Sequence, residues 1–506
     1  MEILDAFMIV FSLETFTVLL LGVFAGIVIG ALPGLTVNMG IALLLPLTYS
    51  FQGMTGILLL LGMYCGAVYG GSITAILIST PGTPASAATV LDGYPMAKRG
   101  EAGRALGLST MGSMFGGIFS TIALIVIAPQ LAKVAIGFSA AEYFALAVFG
   151  ISIITSVSSQ SIIKGLMGGA IGLAIATVGL DPMTSGMRFT FDTVYLMGGI
   201  SFIPILVGLF AFSQGLISFE EDYRERRQKN PEGKVSARIQ RVLPTWLDFK
   251  RVLPTYLRSS AIGTGVGVIP GVGGDISSFI SYNEAKRWSK HPEEFGHGSP
   301  EGVSAPEAGA NAVTGGCMVP LMTLGIPGDG ATAIIMGAFM VQGLALGPQL
   351  FTDNPVEVNS IFIGLMVANI LMGILGFLCM KLFVRVMDVP RRVLVPIIFV
   401  LCSIGAYSVN HDIRDVFIMM GTGLLAYILI KLDFSMSPIV IGIILGPMAE
   451  SNLRRALTMS QGDLSILYTR PITATFLGIA ILTLILPIIG PSLKAMWKKW
   501  RAKPAQ

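Results

Sequence analysis

The chain has 506 residues, 53% hydrophobic and 12% charged, with a mean hydropathy of +0.77. A soluble domain carries about 25% charged residues, so this composition excludes an ordinary soluble enzyme and indicates a polytopic membrane protein. The net charge of +4 is spread over loops and marks no nucleic-acid surface.

The N-terminal MEILDAFMIV has no basic n-region and reads as mature chain. No Lys or Arg precedes Lys98, which places the N-terminus on the periplasmic side. The first membrane element carries Gly22, Gly26 and Gly30, a spacing suited to close helix contact, and runs into GALPGL (30–35) with Pro33 and Gly34. Apolar elements follow at 38–50 and 53–79, then the break Ser79-Thr-Pro-Gly-Thr-Pro84. Beyond the loop 92–104, helices are expected at about 105–128, 141–156, 160–179 and 195–216. Residues 217–258 hold ten basic residues and read as a cytoplasmic linker.

The second half repeats the pattern. GVIPGV (267–272) answers GALPGL, and AVTGGCMVPLMTLGIPGDGATAI (312–334) answers AVYGGSITAILISTPGTPASAAT (67–89). Residues 157–181 align with 409–433, and 201–209 with 435–443. Four matches in one order make an internal duplication. The loop at 92–104 holds Lys98, Arg99 and Arg104, whereas its counterpart at 344–357 holds no Lys or Arg. One helix later the bias reverses, with Lys133 alone in 129–140 against Lys381, Arg385, Arg391 and Arg392 in 381–392. This alternation predicts inverted repeats, although Arg454, Arg455 and Arg470 fall on the side expected to lack basic charge. Whether 259–282 spans or re-enters stays open. The expected architecture is an all-α polytopic protein with repeats at 1–216 and 259–450. Residues 451–493 form a loop and an extra helix (471–491), and 494–506 a basic cytoplasmic tail.

Proline removes a backbone donor, so each Pro-Gly is expected to break a helix inside the bilayer. Irregular backbone survives there only where it lines a protein-enclosed cavity, and matched breaks in two halves point to a transport site. A restarting helix offers free N–H groups to a carboxylate, and carbonyls ending the preceding half-helix suit Na⁺. Candidate substrate-binding residues are therefore Ser79, Thr80, Pro81, Gly82, Thr83, Ser86, Pro327, Gly328 and Thr332. Candidates for the cation are Asp329, Asn311, Gly325 and Asn38. Pro33, Gly34, Pro270, Gly271, Asp275 and Glu307 are further candidates, the two acids because charge in apolar surroundings is costly. Asp329 and the Pro-Gly pairs also read as plain turns, but duplication in order favours a site. No ATP-binding loop or HExxH occurs, and Cys65, Cys317, Cys379 and Cys402 stand singly, so neither a cofactor nor a metal other than Na⁺ is expected.

GALPGLT, ISTPGTPASAATVLDGYPMAKRG, SAPEAGANA and PLMTLGIPGDGATA resemble the TctA family, the large membrane subunit of bacterial tripartite tricarboxylate transporters. The resemblance covers about residues 15–490. It implies an ion-coupled importer of organic acids in the inner membrane, with a TctB-like small membrane subunit and a TctC-like periplasmic receptor as partners. It also implies elevator-like movement, and it leaves Asp329 where the family has a small hydroxyl or neutral residue. The rival readings are a passive carboxylate channel and a membrane-embedded enzyme using Glu307 or Asp329.

Overall fold

The computed structural model describes residues 2–157, 161–181, 183–228, 242, 244–387 and 389–485. The basic tail, residues 486–491 of the stretch expected to be the last helix, and the middle of the basic linker lie outside them. Eighteen helices serve as landmarks. They are α1 (Glu2–Val10), α2 (Leu13–Gly30), α3 (Val37–Leu44), α4 (Thr55–Ile78), α5 (Ala87–Lys98), α6 (Ala102–Ala135), α7 (Ala140–Val157), α8 (Ile162–Ala176) and α9 (Phe202–Arg224). After the linker come α10 (Trp246–Val268), α11 (Gly273–Trp288), α12 (Pro300–Leu324), α13 (Gly330–Val341), α14 (Pro355–Leu378), α15 (Arg391–Asn410), α16 (Ile413–Lys431), α17 (Ser437–Met459) and α18 (Pro471–Ile485). The strands described are β1 (Gly179–Leu180) and β2 (Met187–Arg188), one two-residue antiparallel pair. Seven helices among the described residues are long and apolar enough to cross a membrane. This is a helical, multi-pass membrane protein.

Several expected boundaries move. Most of the expected loop 92–104 is the end of α5, and the helix expected at 105–128 is α6, Ala102–Ala135, which takes in Lys133. The helix expected at 195–216 begins at Phe202, after a separate turn at Val194–Met197, and continues past 216 into the linker. The i,i+4 pair Arg224–Glu220, at 2.5 Å, supports that extension. At the other end of the linker, Thr245 and Asp248 form a capping box that starts α10 well before residue 259. The stretch 259–282 is not one segment, because Pro270-Gly271 divides it into the end of α10 and the start of α11.

The chain forms two compact units, each drawn from both halves. The first comprises 1–136 and 201–428, the second 137–200 and 429–506. In the first unit, α2 and α4 pack backbone to backbone. A Cβ at Gly22 would lie 2.3 Å from the Leu59 carbonyl oxygen, and one at Gly66 would lie 2.4 Å from that of Val23. α10 and α12 repeat the arrangement, with Gly263 against the Gly309 carbonyl oxygen at 2.2 Å and Gly316 against that of Thr264 at 2.6 Å. Lipid tails are as apolar as leucine, so such close van der Waals approach, rather than exclusion from water, drives the pairing.

The halves also interleave. In the first unit α6 lies along α12, and α14 along α4 and α6. There α9 packs on α15 and α16, with Gly208 against the Met419 carbonyl oxygen. In the second unit α17 packs on α7 and α8, with Gly172 against that of Ile439. The second unit also pairs two of the three arginines that run against the charge pattern. Arg454 meets Asp181 and Glu450, each at 2.8 Å, and Arg470 meets Glu142 at 2.9 Å. Arg188 joins Asp181 and Glu450 as well. The Met183 backbone N–H, then Arg454, Thr184 and Arg188, hold the Asp181 carboxyl well below the usual carboxylate range.

Candidate functional site

All four Pro-Gly breaks lie in the first unit, and three of them meet. A Cβ at Gly82 would lie 2.2 Å from the Gly30 carbonyl oxygen, so the first central break sits on the end of α2. The Gly271 N–H donates to the Gly328 carbonyl at 2.6 Å, joining the two breaks of the second half. The start of α11 links both central breaks. A Cβ at Gly274 would lie 3.4 Å from the Ala85 Cβ, and one at Gly273 would lie 4.0 Å from the Asp329 Cβ. Freed backbone groups find partners nearby. Gly82 N–H donates to the Gly71 carbonyl at 3.1 Å, and Gln214 Nε2 to the Gly34 carbonyl at 3.0 Å.

The two halves adopt the same conformations at matched positions. Gly34 and Gly271 have φ of +88° and +86°. Ser79 and Gly325 end α4 and α12 in the left-handed region, with φ of 59° and 69°. Thr83 and Asp329 are then extended N-caps, each closing a capping box with the residue three places on, Ser86 and Thr332. Asp329 is therefore the counterpart of Thr83. Its Oδ1 accepts from the Thr332 N–H and hydroxyl, each at 2.8 Å. Its Oδ2 accepts from the Tyr64 hydroxyl at 2.6 Å, across the two halves.

These caps decide which hydroxyls face outward. Thr83, Ser86 and Thr332 are buried and committed to local hydrogen bonds, whereas Ser79, Thr80 and Pro81 are exposed. Gly328 and Pro327 are buried, with Gly328 against Cys317. A non-glycine residue in the left-handed region is strained by about 1–2 kcal/mol. Ser79→Gly is expected to stabilise the protein by about 0.5 kcal/mol after the added freedom of the unfolded chain is counted. A higher melting temperature together with slower transport would show that the Ser79 hydroxyl has a use. An unchanged melting temperature would contradict the strain.

The remaining candidates are dispersed. Asn38 is half-buried in the first turn of α3, which packs on α13. Asp275 is exposed in the first turn of α11, alongside the first central break. Glu307 and Asn311 lie inside α12, the helix that breaks, rather than ahead of it, and Pro306 and Pro320 do not interrupt that helix. Asn311 is fully buried and its Oδ1 has no protein partner. Glu307 accepts from Thr89 Oγ1 at 2.5 Å and Ser113 Oγ at 2.9 Å.

Three contributors are absent from the residues picked out by sequence. They are Tyr64 on α4, Thr89 on α5 and Asp92 on α5. Asp92 is fully buried and accepts from the N–H groups of Gly296, Gly298 and Ser299 and from the Tyr282 hydroxyl. The only signal available for it was a carboxylate five residues beyond Ala87, the small residue that starts α5. No group of three or more His, Cys, Asp or Glu side chains suited to a metal occurs among the described residues.

The model of the tripartite tricarboxylate transporter TctA family matches residues 16–441. The chain belongs to the TctA family. Two relatives from Agrobacterium vitis extend the match. An uncharacterised 52.8 kDa protein in the TAR-I ttuC' 3' region is 39% identical over 477 residues, covering 94% of this chain and 93% of the relative. An uncharacterised protein in the TAR-II ttuC' 3' region is 40% identical over 233 residues, covering 46% of this chain and 96% of the relative. No solved structure matches. This TctA-family chain is thus a transporter component, and the Pro-Gly breaks lie within the matched region.

Proposed function

We propose that this chain is the transporting subunit of a secondary importer for a di- or tricarboxylate, coupled to a Na⁺ or H⁺ gradient. Its partners are a TctB-like small membrane subunit and a TctC-like periplasmic receptor, and it resides in the bacterial inner membrane, N-terminus periplasmic and C-terminus cytoplasmic. The observation that carries this reading is the meeting of the two central Pro-Gly breaks with Pro270-Gly271 at the start of α11, the first central break also lying on the end of α2. An anionic substrate at that point meets the N-terminal dipole of α5 and the exposed hydroxyls of Ser79 and Thr80, whereas the start of α13 is already capped by the Asp329 carboxylate. The buried hydroxyls of Thr83, Ser86 and Thr332 act one step back, by fixing the restart of each helix.

The repeated conformations and the charge alternation support two repeats of opposite orientation, which is the arrangement that lets one site face either side by an elevator-like displacement.

The test is uptake of labelled citrate and related acids into proteoliposomes holding the chain with both partners, with and without Na⁺ or pH gradients. Gradient- and receptor-dependent accumulation is expected. Thr80→Val and Gly328→Leu are each expected to lower it about tenfold or more, a loss of about 1.4 kcal/mol, while both variants remain inserted. A Cβ at Gly328 would lie 2.6 Å from the Cys317 Sγ, so leucine there displaces the break. Wild-type uptake by both variants would overturn the site. Equilibration without accumulation would replace the importer by a channel.

A further inference from the structure

Among the carboxylates that the first unit buries, Asp92 and Glu307 lie in opposite kinds of surroundings. Asp92 receives three backbone N–H groups and a tyrosine hydroxyl. A backbone N–H can only donate, so that nest serves an acceptor and nothing else. Glu307 is 2% exposed and surrounded by hydroxyls from three other helices. Thr89 on α5 and Ser113 on α6 donate to its two oxygens, and Ser109 on α6 and Ser72 on α4 stand beside them. Ser72 and Ser109 bond each other at 2.6 Å. The other polar groups facing it are the hydroxyls of Tyr69 on α4 and Tyr256 on α10, and among the described residues no Lys, Arg or His pairs with it.

A hydroxyl donates or accepts by rotating about one bond. The Glu307 shell can therefore serve a carboxylate, by donating, and a carboxylic acid, by accepting its proton. A buried acid without a countercharge and with such a shell can be loaded and unloaded. Its position links that change to the break. Thr89 lies three residues beyond Ser86, in the first turn of the helix that restarts after Pro81-Gly82. The Thr89–Glu307 bond joins that helix to α12, which ends in the second central break.

We propose that Glu307, with Thr89, Ser113, Ser109 and Ser72, is a proton-binding site that couples ion movement to the first central break. One proton adds to a Glu307 oxygen, the facing hydroxyl turns to accept it, and the charge-assisted bond to Thr89 becomes a weaker neutral one. The hold of α12 on α5 then differs between loaded and unloaded forms, which is the differential interaction a coupled conformational change requires. Both contacts are direct hydroxyl–carboxylate hydrogen bonds, at 2.5 and 2.9 Å, the kind of shell through which a proton can be exchanged.

Calling this the coupling ion rests on the importer reading, but the test needs no substrate. Infrared pH-difference spectra would be recorded from the purified full chain in lipid nanodiscs. The wild type is expected to gain a carboxylic-acid band as pH falls, shifted in D₂O, and Glu307→Gln is expected to lose it while keeping its melting temperature and monodispersity. Ser113→Ala removes one donor to the charged form and is expected to keep the band but bind the proton about tenfold more tightly. A band unchanged in Glu307→Gln, a Glu307 carboxyl that never titrates, or a spectrum that follows Na⁺ at fixed pH would each overturn the proposal. Failure of every acid to accumulate in proteoliposomes would count against the importer reading alone.

Discussion

Asp92→Ala is expected to destabilise the first unit by about 4 kcal/mol or more, whereas Asp92→Asn should cost about 1–2 kcal/mol. Alanine strands three backbone N–H groups and the Tyr282 hydroxyl, all of which bond one fully buried carboxylate. Each buried donor left without a partner costs about 1–3 kcal/mol. Asparagine keeps an oxygen for the N–H groups, and the Tyr282 hydroxyl can turn to accept from its amide, so only charge assistance is lost. Arg99 braces the same loop by donating to the carbonyls of His297 and Gly298, at 2.7 and 2.8 Å, but that latch is partly exposed and does not replace Asp92. Melting temperatures of the three proteins in one detergent check the ranking. Equal melting of the alanine and asparagine variants would show that the loop does not depend on these bonds.

Gly26→Leu is expected to abolish recovery of monodisperse protein, and Gly26→Ala to impair it severely. A Cβ there would lie 2.4 Å from the Met63 carbonyl oxygen and 2.9 Å from the Ala67 nitrogen. These are backbone atoms of α4, so no rotamer change relieves the overlap. The helices must separate, and the reciprocal contacts of Gly62, Gly66 and Gly70 go with them. Overpacking a well-filled interior costs about 1–3 kcal/mol even where side chains can shift, and this contact lacks that freedom. Gly265→Ala is the control. It lies in α10 with no atom within 4 Å of a built Cβ, and little change is expected in size-exclusion profile or melting. A well-behaved Gly26→Leu protein would refute the close α2–α4 contact.

The readable part of the site was local. Proline and glycine interrupt helices wherever they meet a long apolar run, so GALPGL, STPGTP, GVIPGV and GIPGDG mark the four breaks without reference to any neighbour. The same rule fails within α12, where Pro306 and Pro320 are carried inside a continuous helix. Packing from α6 and α10 on either side keeps that helix intact. Asp329 shows the limit differently. Its place after the second Pro-Gly, matching Thr83 after the first, was visible, but the bond it accepts from Tyr64 was not, because that contact joins distant parts of the chain.

By itself, the sequence determined the membrane class, the places where helices break and the order of the duplicated segments. Hydropathy over about 20 residues and the backbone chemistry of Pro and Gly are properties of short stretches. The tertiary structure alone decided which hydroxyls face outward, that three of the breaks meet, and that Glu307 sits among hydroxyls while Asp92 sits among N–H groups. Those outcomes rest on contacts such as Thr89–Glu307 and Tyr64–Asp329, 218 and 265 residues apart. They are set by the rotation and register of packed helices, which no single stretch of chain encodes.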